Sequence, residues 1–419
     1  MKVSQLFTKT KKEAPADEVS KNAQLLIRAG YIHKEMAGAY TFLPLGLKVL
    51  ENISQVIREE MDSIGGQELK LTTLQDPEIW KQTDRWDDEK VDVWFKTKLK
   101  NDSELGMAPT HEEPITRAVK PFINSYKDLP FLAYQIQTKF RNETRAKSGV
   151  MRGREFLMKD LYSFARTEAE HEELYEKIKQ AYFKVYKRLG VGEQTFLTFA
   201  SGGMFSQFSH EFQTICEAGE DTIYIDRKKG IAINNEVNND EVLANLNLKR
   251  EDLEEVRAAE VGNIFTLKDK FSKPLGLTFR DENEQDQNVL MGSYGIGPSR
   301  LVGVITELLG DEKGLVWPAN IAPYKVYLAA VGQDDAVIKA ADELYEDLKS
   351  SGITVLYDDR DIRPGEKFAD ADLLGIPYRI VISQKTIEQG KIELKERTAT
   401  DNKLITAEEF KKLVQDFAS

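Results

Sequence analysis

Cysteine is almost absent from this chain of 419 residues. Cys216 is the only one, which excludes an intramolecular disulfide framework and any zinc site built on several thiolates. Histidine is also scarce: His33, His111, His171 and His210 are the four present. No Gly-x-Ser-x-Gly elbow accompanies them, so a Ser-His-acid hydrolase has no support. No run approaches the ~20 consecutive apolar residues that a membrane span needs. The polar N-terminus lacks the apolar core of a secretory signal, and a reducing cytoplasm is the expected compartment. Basic charge is in deficit, 58 Lys and Arg against 70 Asp and Glu, for a net charge of −12. That balance argues against a generally adhesive nucleic-acid binder and leaves room for a local basic site.

What is present is a folding composition, 41% hydrophobic and 31% charged, with length for two or three domains. From Leu47 the apolar positions Leu50, Ile53, Ile57, Met61 and Ile64 follow a helical spacing, and Gly65-Gly66 stops the helix. A second helix starts at Thr167, with Glu170 completing a capping box; Leu174, Ile178, Tyr182, Val185 and Leu189 form its stripe, and Gly190 caps its end. Shorter β-type runs lie at 131–138 and 222–225. Long helices with scattered strands and no strict alternation predict a mixed antiparallel sheet flanked by helices. After Trp317-Pro318 the rhythm changes. Strands at 325–331, 353–357 and 378–383 alternate with a helix at 335–349, and a last helix begins at Thr406 with Glu409 as capping partner. This predicts a separate α/β domain over 321–419, after a first domain over 1–320.

Four segments could carry chemistry. Residues 139–160 place seven basic and three acidic residues around Phe140, Phe156, Gly149 and Gly153, a turn between two strands. Arginine forks bind phosphate oxygens and a phenyl face stacks on a purine; the bland reading is a solvated charged hairpin. Residues 291–300, MGSYGIGPSR, let a backbone approach a ligand at Gly292, Gly295 and Gly297 and set Arg300 at a helix start. They make neither a dinucleotide fingerprint nor a P-loop. Residues 107–113, MAPTHEE, offer Thr110, Glu112 and Glu113 to an ammonium ion, though alone they read as an exposed acidic loop. Residues 201–212, SGGMFSQFSHEF, contain His210, and a lone histidine is more often structural than catalytic. Cys216 has no visible activator and reads as a buried filler.

In this order, the segments resemble a class II aminoacyl-tRNA synthetase, closely the bacterial-type prolyl-tRNA synthetases, nearly end to end. The resemblance is carried by 27–46, Thr110-His111-Glu112-Glu113, Phe140-Arg141-Asn142-Glu143 with Arg154-Glu155-Phe156 (motif 2), Gly295-Ile296-Gly297 with Arg300 (motif 3), GGMFSQFSHEF, and 358–377. It implies an α+β catalytic domain, an antiparallel sheet flanked by helices, followed by an α/β anticodon-binding domain. It further implies ATP-dependent activation of L-proline to prolyl adenylate and transfer to tRNA(Pro), with ATP and Mg²⁺, no zinc and no covalent enzyme intermediate. Arg141 would bridge the α-phosphate and the proline carboxylate, and Arg300 would hold the γ-phosphate and the far purine face. Glu143 would accept from the adenine amino group, Phe156 would stack on adenine, Arg154 would support the loop, and Gly295 and Gly297 would line the ATP site. Thr110 and Glu112 would bind proline's secondary ammonium, and His210 would close the pyrrolidine pocket. Asp359, Arg360, Arg363, Glu366, Lys367 and Phe368 would meet the anticodon, within a domain of 14 basic and 19 acidic residues.

Two departures stand out. Thr72, within 68–76, occupies the place of the motif 1 proline in a strand that in this family helps build the homodimer, and Ser293 stands where motif 3 often has cysteine. Segments 221–236 and 255–265 resemble the flanks of the editing domain that many bacterial members insert. Only residues 237–254 separate them, too few for a domain. Cis editing of alanyl-tRNA is therefore expected to be missing, and a trans-acting alanyl-tRNA(Pro) deacylase would have to clear the product. Competing readings are a threonine enzyme, which would want zinc ligands including cysteine, and an ATP-dependent acid–ammonia ligase, which has no use for the C-terminal domain. A non-catalytic, synthetase-like tRNA-binding paralogue would tend to lose the ATP-binding arginines.

Overall fold

The stripe that starts at Leu47 becomes helix α1, Pro44–Ser63, with Leu50, Ile53, Ile57 and Met61 buried. Gly65 then turns the chain at φ +86°, a conformation that suits glycine. The computed structural model describes residues 1–144, 148–201, 208–332 and 334–416. Its contacts divide the chain into two units, one made of 36–40 and 54–304, the other of 1–35, 41–53 and 305–419.

The larger unit is built on a nine-stranded sheet. Its strands are β1 (Gly66–Glu68), β2 (Phe131–Phe140), β3 (Glu155–Ala165), β4 (Thr195–Ser201), β5 (Phe208–Ile215), β6 (Asp221–Asp226), β7 (Ile231–Asn234), β8 (Glu254–Lys268) and β9 (Leu290–Ile296). The order is β5-β4-β7-β6-β8-β9-β3-β2-β1, and β5 also pairs with β8. Only β1–β2 and β4–β7 are parallel among these pairs, so the expected antiparallel sheet is present. The strand expected over 68–76 is cut short. After a last backbone bond from the Leu69 N–H to the Tyr134 carbonyl at 2.8 Å, the side chains of β2 replace the ladder: Leu71 donates its N–H to Gln135 Oε1 at 2.9 Å, and Gln137 Nε2 donates to the Leu71 carbonyl at 2.8 Å. Leu74–Gln75 instead joins a small sheet with Phe95–Lys98 and Glu104–Met107.

Two further helices complete what the site needs: α2, Glu112–Val119, and α3, Glu168–Arg188. Thr167 caps α3 by accepting the Glu170 N–H. The Glu170 carboxylate, however, takes the Arg166 N–H and guanidinium rather than the Thr167 N–H, so the capping box is half made. Tyr182 and Tyr186 of α3 pack on Phe212 of β5. A Cβ at Gly262 would lie 2.3 Å from the Tyr186 hydroxyl, which ties that close helix–sheet approach to glycine. Residues 237–254 hold one short α-helix, α4 (Asp240–Asn245), capped by Asn239, and a 3-10 turn at Arg250–Asp252. Val242, Leu243 and Leu248 bury against Ile233 and Val237 and finish this end of the sheet.

The smaller unit alternates strand and helix as expected. Helix α5 (Pro298–Leu309), of which residues 305–309 lie in this unit, is followed by β10 (Val326–Val331), α6 (Asp335–Ser350), β11 (Val355–Asp358), α7 (Pro364–Leu374) and β12 (Tyr378–Ser383). Then come β13 (Ile392–Glu396), β14 (Lys403–Ile405) and α8 (Ala407–Asp416). Strands β11-β10-β12 are parallel, and β13 and β14 are added antiparallel. Thr406 and Glu409 cap α8 reciprocally. The contact division differs from the cut expected near residue 320, because the N-terminal segment packs in this unit. The Met1 ammonium donates to the Tyr345 hydroxyl at 2.6 Å and the Val355 carbonyl at 3.1 Å, and the Tyr31 hydroxyl donates to the Leu374 carbonyl at 2.7 Å.

Candidate active site

Strands β2 and β3 form a long hairpin, and the arginines lie at its open end. Arg141 follows β2 directly. Its Nε donates to the Pro109 carbonyl at 3.2 Å and its guanidinium stands 5.3 Å from the centre of the Phe156 ring. Arg154 donates from Nε to the Glu143 carbonyl at 3.1 Å and from Nη1 to the Ala37 carbonyl at 3.1 Å. Glu143 has an unforeseen partner in Arg152, whose Nε and Nη2 reach its carboxylate at 3.0 and 2.8 Å and which also pairs with Glu220. Residues 145–147 of this loop, and 202–207 of the SGGMFSQFSHEF segment, lie outside the described residues.

Arg300, in the first turn of α5, donates from Nε to the Met151 carbonyl at 2.7 Å and from Nη1 to the Glu260 carbonyl at 2.6 Å. Gly295 offers its N–H to Asn263 Oδ1 at 3.2 Å. A cavity is lined by Arg141, Glu143, Phe156, Gly295, Gly297 and Arg300, together with Arg152, Glu260 and Asn263. A neighbouring recess shares Arg141, Glu143, Arg152 and Arg300 and reaches Glu220 and Asp221. Burial and the charge of Glu260 push the Glu211 carboxyl up to about 8. Guanidiniums, one aromatic face and backbone exposed at glycines suit a purine nucleotide with its phosphates.

The acidic segment is no exposed loop. Glu112 is 1% exposed and Glu113 0%. Thr110 Oγ1 donates to Glu112 Oε2 at 2.7 Å, and Ser293 Oγ donates to Glu112 Oε1 at 3.2 Å. Arg85 Nη1 reaches Glu112 Oε2 at 3.2 Å and Glu113 Oε1 at 3.0 Å. Beneath lies a second buried cluster. Lys139 Nζ donates to His111 Nδ1 at 2.6 Å and Asp160 Oδ1 at 2.7 Å, and Tyr162 donates its hydroxyl to Asp160 Oδ2 at 2.9 Å. An ammonium has only donors, so Nδ1 must accept, and His111 carries its proton on Nε2, directed at the Thr72 carbonyl 3.0 Å away. Burial and Lys139 push His111 down to about 4.

His210 requires a correction. Its Nδ1 meets the Tyr175 hydroxyl at 2.6 Å and its ring stands edge-on to Phe199. It pairs with Ile264, which pairs with Tyr294, and Tyr294 packs on Tyr175 of α3. Adjacent residues of a strand point to opposite faces. Ser293, bonded to Glu112, therefore faces away from His210. The imidazole lines a different cavity, with His171, Tyr175 and Thr266, and does not join Thr110 and Glu112. A second correction concerns Lys367: it is 3% exposed and donates to the Ala330 and Asp358 carbonyls at 2.9 and 3.2 Å, inside the smaller unit. Arg360 is paired with Asp358 and Asp370, Asp359 accepts from Ser4, and Phe368 lies under the Arg379 guanidinium. Arg363 and Glu366, at the start of α7, are exposed.

Arg85, Arg152, Glu260 and Asn263 were not singled out in the sequence. The last two lie in 255–265, which had read only as a flank of a missing domain; nothing local marks Arg85. Among the described residues no group of three or more His, Cys, Asp or Glu could hold a metal ion, and no helix is long and apolar enough to cross a membrane.

Residues 95–308 match the family described as tRNA synthetase class II core domain (G, H, P, S and T), and 325–417 match the anticodon binding domain. Among curated proteins, the chain is 38% identical to the proline–tRNA ligase of Maricaulis maris, over 95% of this chain and 94% of that one. It is 38% identical to the proline–tRNA ligase of Ehrlichia chaffeensis, over 98% and 99%. Among solved structures, the prolyl-tRNA synthetase of Cryptosporidium parvum complexed with L-proline and AMP superposes with a TM-score of 0.76 at 20% identity, covering 94% of this chain and 75% of that one. At that identity the likeness is one of fold.

Proposed function

The chain belongs to the class II proline–tRNA ligases, and from that premise we propose which of its residues carry the two half-reactions. It activates L-proline with ATP and transfers the prolyl group to tRNA(Pro). In the first step a proline carboxylate oxygen attacks the α-phosphorus, a new P–O bond forms, the α–β bridge breaks and pyrophosphate leaves. In the second, a hydroxyl of the terminal ribose attacks the prolyl carbonyl and AMP leaves. Positioning and charge stabilisation supply the rate.

One observation carries the assignment of roles. Arg141 lies within cation–π range of Phe156 at the cavity and is bonded to Pro109, the residue before Thr110. It thus stands between the phosphates and the imino acid. Arg300 takes the other side of the triphosphate, Glu143 the adenine amino group, and Phe156 the purine face, with Gly295 and Gly297 leaving room. Thr110 and Glu112 receive the ammonium. Glu211 and Glu260, half-buried carboxylates that repel each other, suit the Mg²⁺ that accompanies ATP as substrate. Arg363 and Glu366 are the surface residues for the anticodon. The enzyme works as a cytoplasmic homodimer, a reading supported by the resemblance of the whole chain to this family, whose motif 1 strand corresponds to 68–76 here. The anticodon-binding domain is 321–419.

Proline-dependent ATP–pyrophosphate exchange is the test: folded protein without exchange would remove the reading in favour of a non-catalytic paralogue. Alanine lacks two of proline's ring methylenes, each worth ~10–200-fold, so its kcat/KM is expected to be lower by about 10²- to 4 × 10⁴-fold yet measurable. The short helix at 237–254 leaves no editing domain in this segment. Alanyl-tRNA(Pro) should then persist with the purified enzyme and await a trans-acting deacylase; its hydrolysis by the enzyme alone would overturn this. Arg363→Ala should raise KM for tRNA severalfold and leave exchange unchanged, because exchange needs no tRNA; equal loss in both assays would remove Arg363 from the interface.

A further inference from the structure

Arg85 lies at the heart of the larger unit although no motif contains it. Its side chain is 8% exposed. It follows the short helix Pro77–Lys81, and its backbone is held at both ends: its N–H donates to the Trp80 carbonyl at 2.9 Å, and its carbonyl accepts from Trp94 Nε1 at 2.9 Å. The guanidinium carbon lies 5.2 Å from the Trp80 ring centre and 5.1 Å from that of Phe271, both within cation–π range. Such a frame leaves the head group little freedom, and what it presents is Nη1, shared between Glu112 and Glu113.

The two glutamates are adjacent in the chain and both fully buried, yet their surroundings differ. Glu113 is held by Arg85 and by the Thr83 hydroxyl at 2.7 Å. Glu112 is held on both oxygens, Oε2 by Arg85 and Thr110, Oε1 by Thr110 and Ser293. A carboxylate bound on both oxygens from three directions has its plane set before any ligand arrives, and an acceptor oriented in advance costs nothing to orient during binding.

We propose that Arg85 is a positioning residue for imino-acid recognition: it fixes the carboxylate of Glu112 toward the ammonium of proline, and Glu113 serves to anchor Arg85. This rests on the reading that Glu112 receives that ammonium. Arg85 itself touches no substrate. A lysine there would supply the charge but not the flat group that lies between two aromatic rings.

Steady-state exchange kinetics test the assignment. Arg85→Met alone strands Glu113 as a buried charge and threatens the fold, so the informative protein is R85M/E113Q, which removes both members of the anchor. Its unfolding midpoint should return close to that of the wild type. Its KM for proline should rise about 10- to 100-fold, the scale of one charge-assisted hydrogen bond, while its KM for ATP stays within about twofold. R85K should fall between wild type and R85M/E113Q in KM for proline. A wild-type KM for proline in R85M/E113Q, or equal rises for proline and ATP, would overturn the proposal while leaving the proline reading intact. A wild-type enzyme without proline-dependent exchange would overturn both.

Discussion

Arg141→Ala should lower kcat for proline-dependent exchange by about 10²- to 10³-fold, the typical effect of removing one preorganised donor from a developing oxyanion. Negative charge gathers on the α-phosphate oxygens as the carboxylate attacks, and in the proposed assignment Arg141 is the group that meets it. The same substitution should cost little stability. The guanidinium rests on a carbonyl and an aromatic ring, and burial holds its pKa below the ordinary arginine value, with the Arg300 charge adding to the effect. Its removal therefore relieves an electrostatic cost rather than stranding a buried partner. Arg141→Lys should recover only part of the rate, because an ammonium cannot bridge two acceptors as a planar fork does. The measurement is exchange kinetics beside a denaturant unfolding curve. Activity within tenfold of the wild type would remove Arg141 from the reacting centre.

Asp160→Ala should produce the largest loss of stability, about 3–5 kcal/mol by guanidinium unfolding, the typical cost of stranding one member of a buried ion pair. Lys139 is 0% exposed, and Asp160 is the carboxylate bonded to its ammonium. Desolvation acts to raise the Asp160 carboxyl, but Lys139 and His111 outweigh it and hold the carboxyl below the ordinary carboxylate range. The same cluster sets a pH dependence. His111 is neutral in the folded chain down to about 4, whereas the unfolded imidazole takes its proton near 6.5. Through that window the unfolded state binds more protons, so stability falls on acidification. The lowered carboxyl of Asp160 extends the loss to lower pH. Unfolding midpoints that stay flat from pH 7 to pH 4.5 would contradict this account of the cluster.

Much of this was legible along the chain. The helix at Pro44–Ser63, the capped helix after Thr167, the strand–helix alternation after Trp317 and the placement of Arg300 at a helix start all follow from short-range patterning, glycine geometry and capping chemistry. The resemblance of two separate motifs to those of class II synthetases pointed to Arg141, Phe156, Gly295 and Arg300 as parts of one nucleotide site, and all four line one cavity. Other features were decided only by the tertiary structure. His210 stands next to a serine and a glutamate in sequence, yet the side of the sheet it faces depends on strand parity relative to β8 and β9, which no single segment encodes. Lys367 looked like a surface cation because charge alone does not reveal burial; it is buried because two main-chain carbonyls from other segments accept from its ammonium. Glu112 and Glu113 looked like an exposed acidic loop for the converse reason, since Arg85, 27 positions upstream of Glu112, pairs with both only after folding. Local hydrogen bonding and hydrophobic period are properties of neighbouring residues and can be read in the sequence. The compensation of buried charge is a property of residues that meet only in the folded chain.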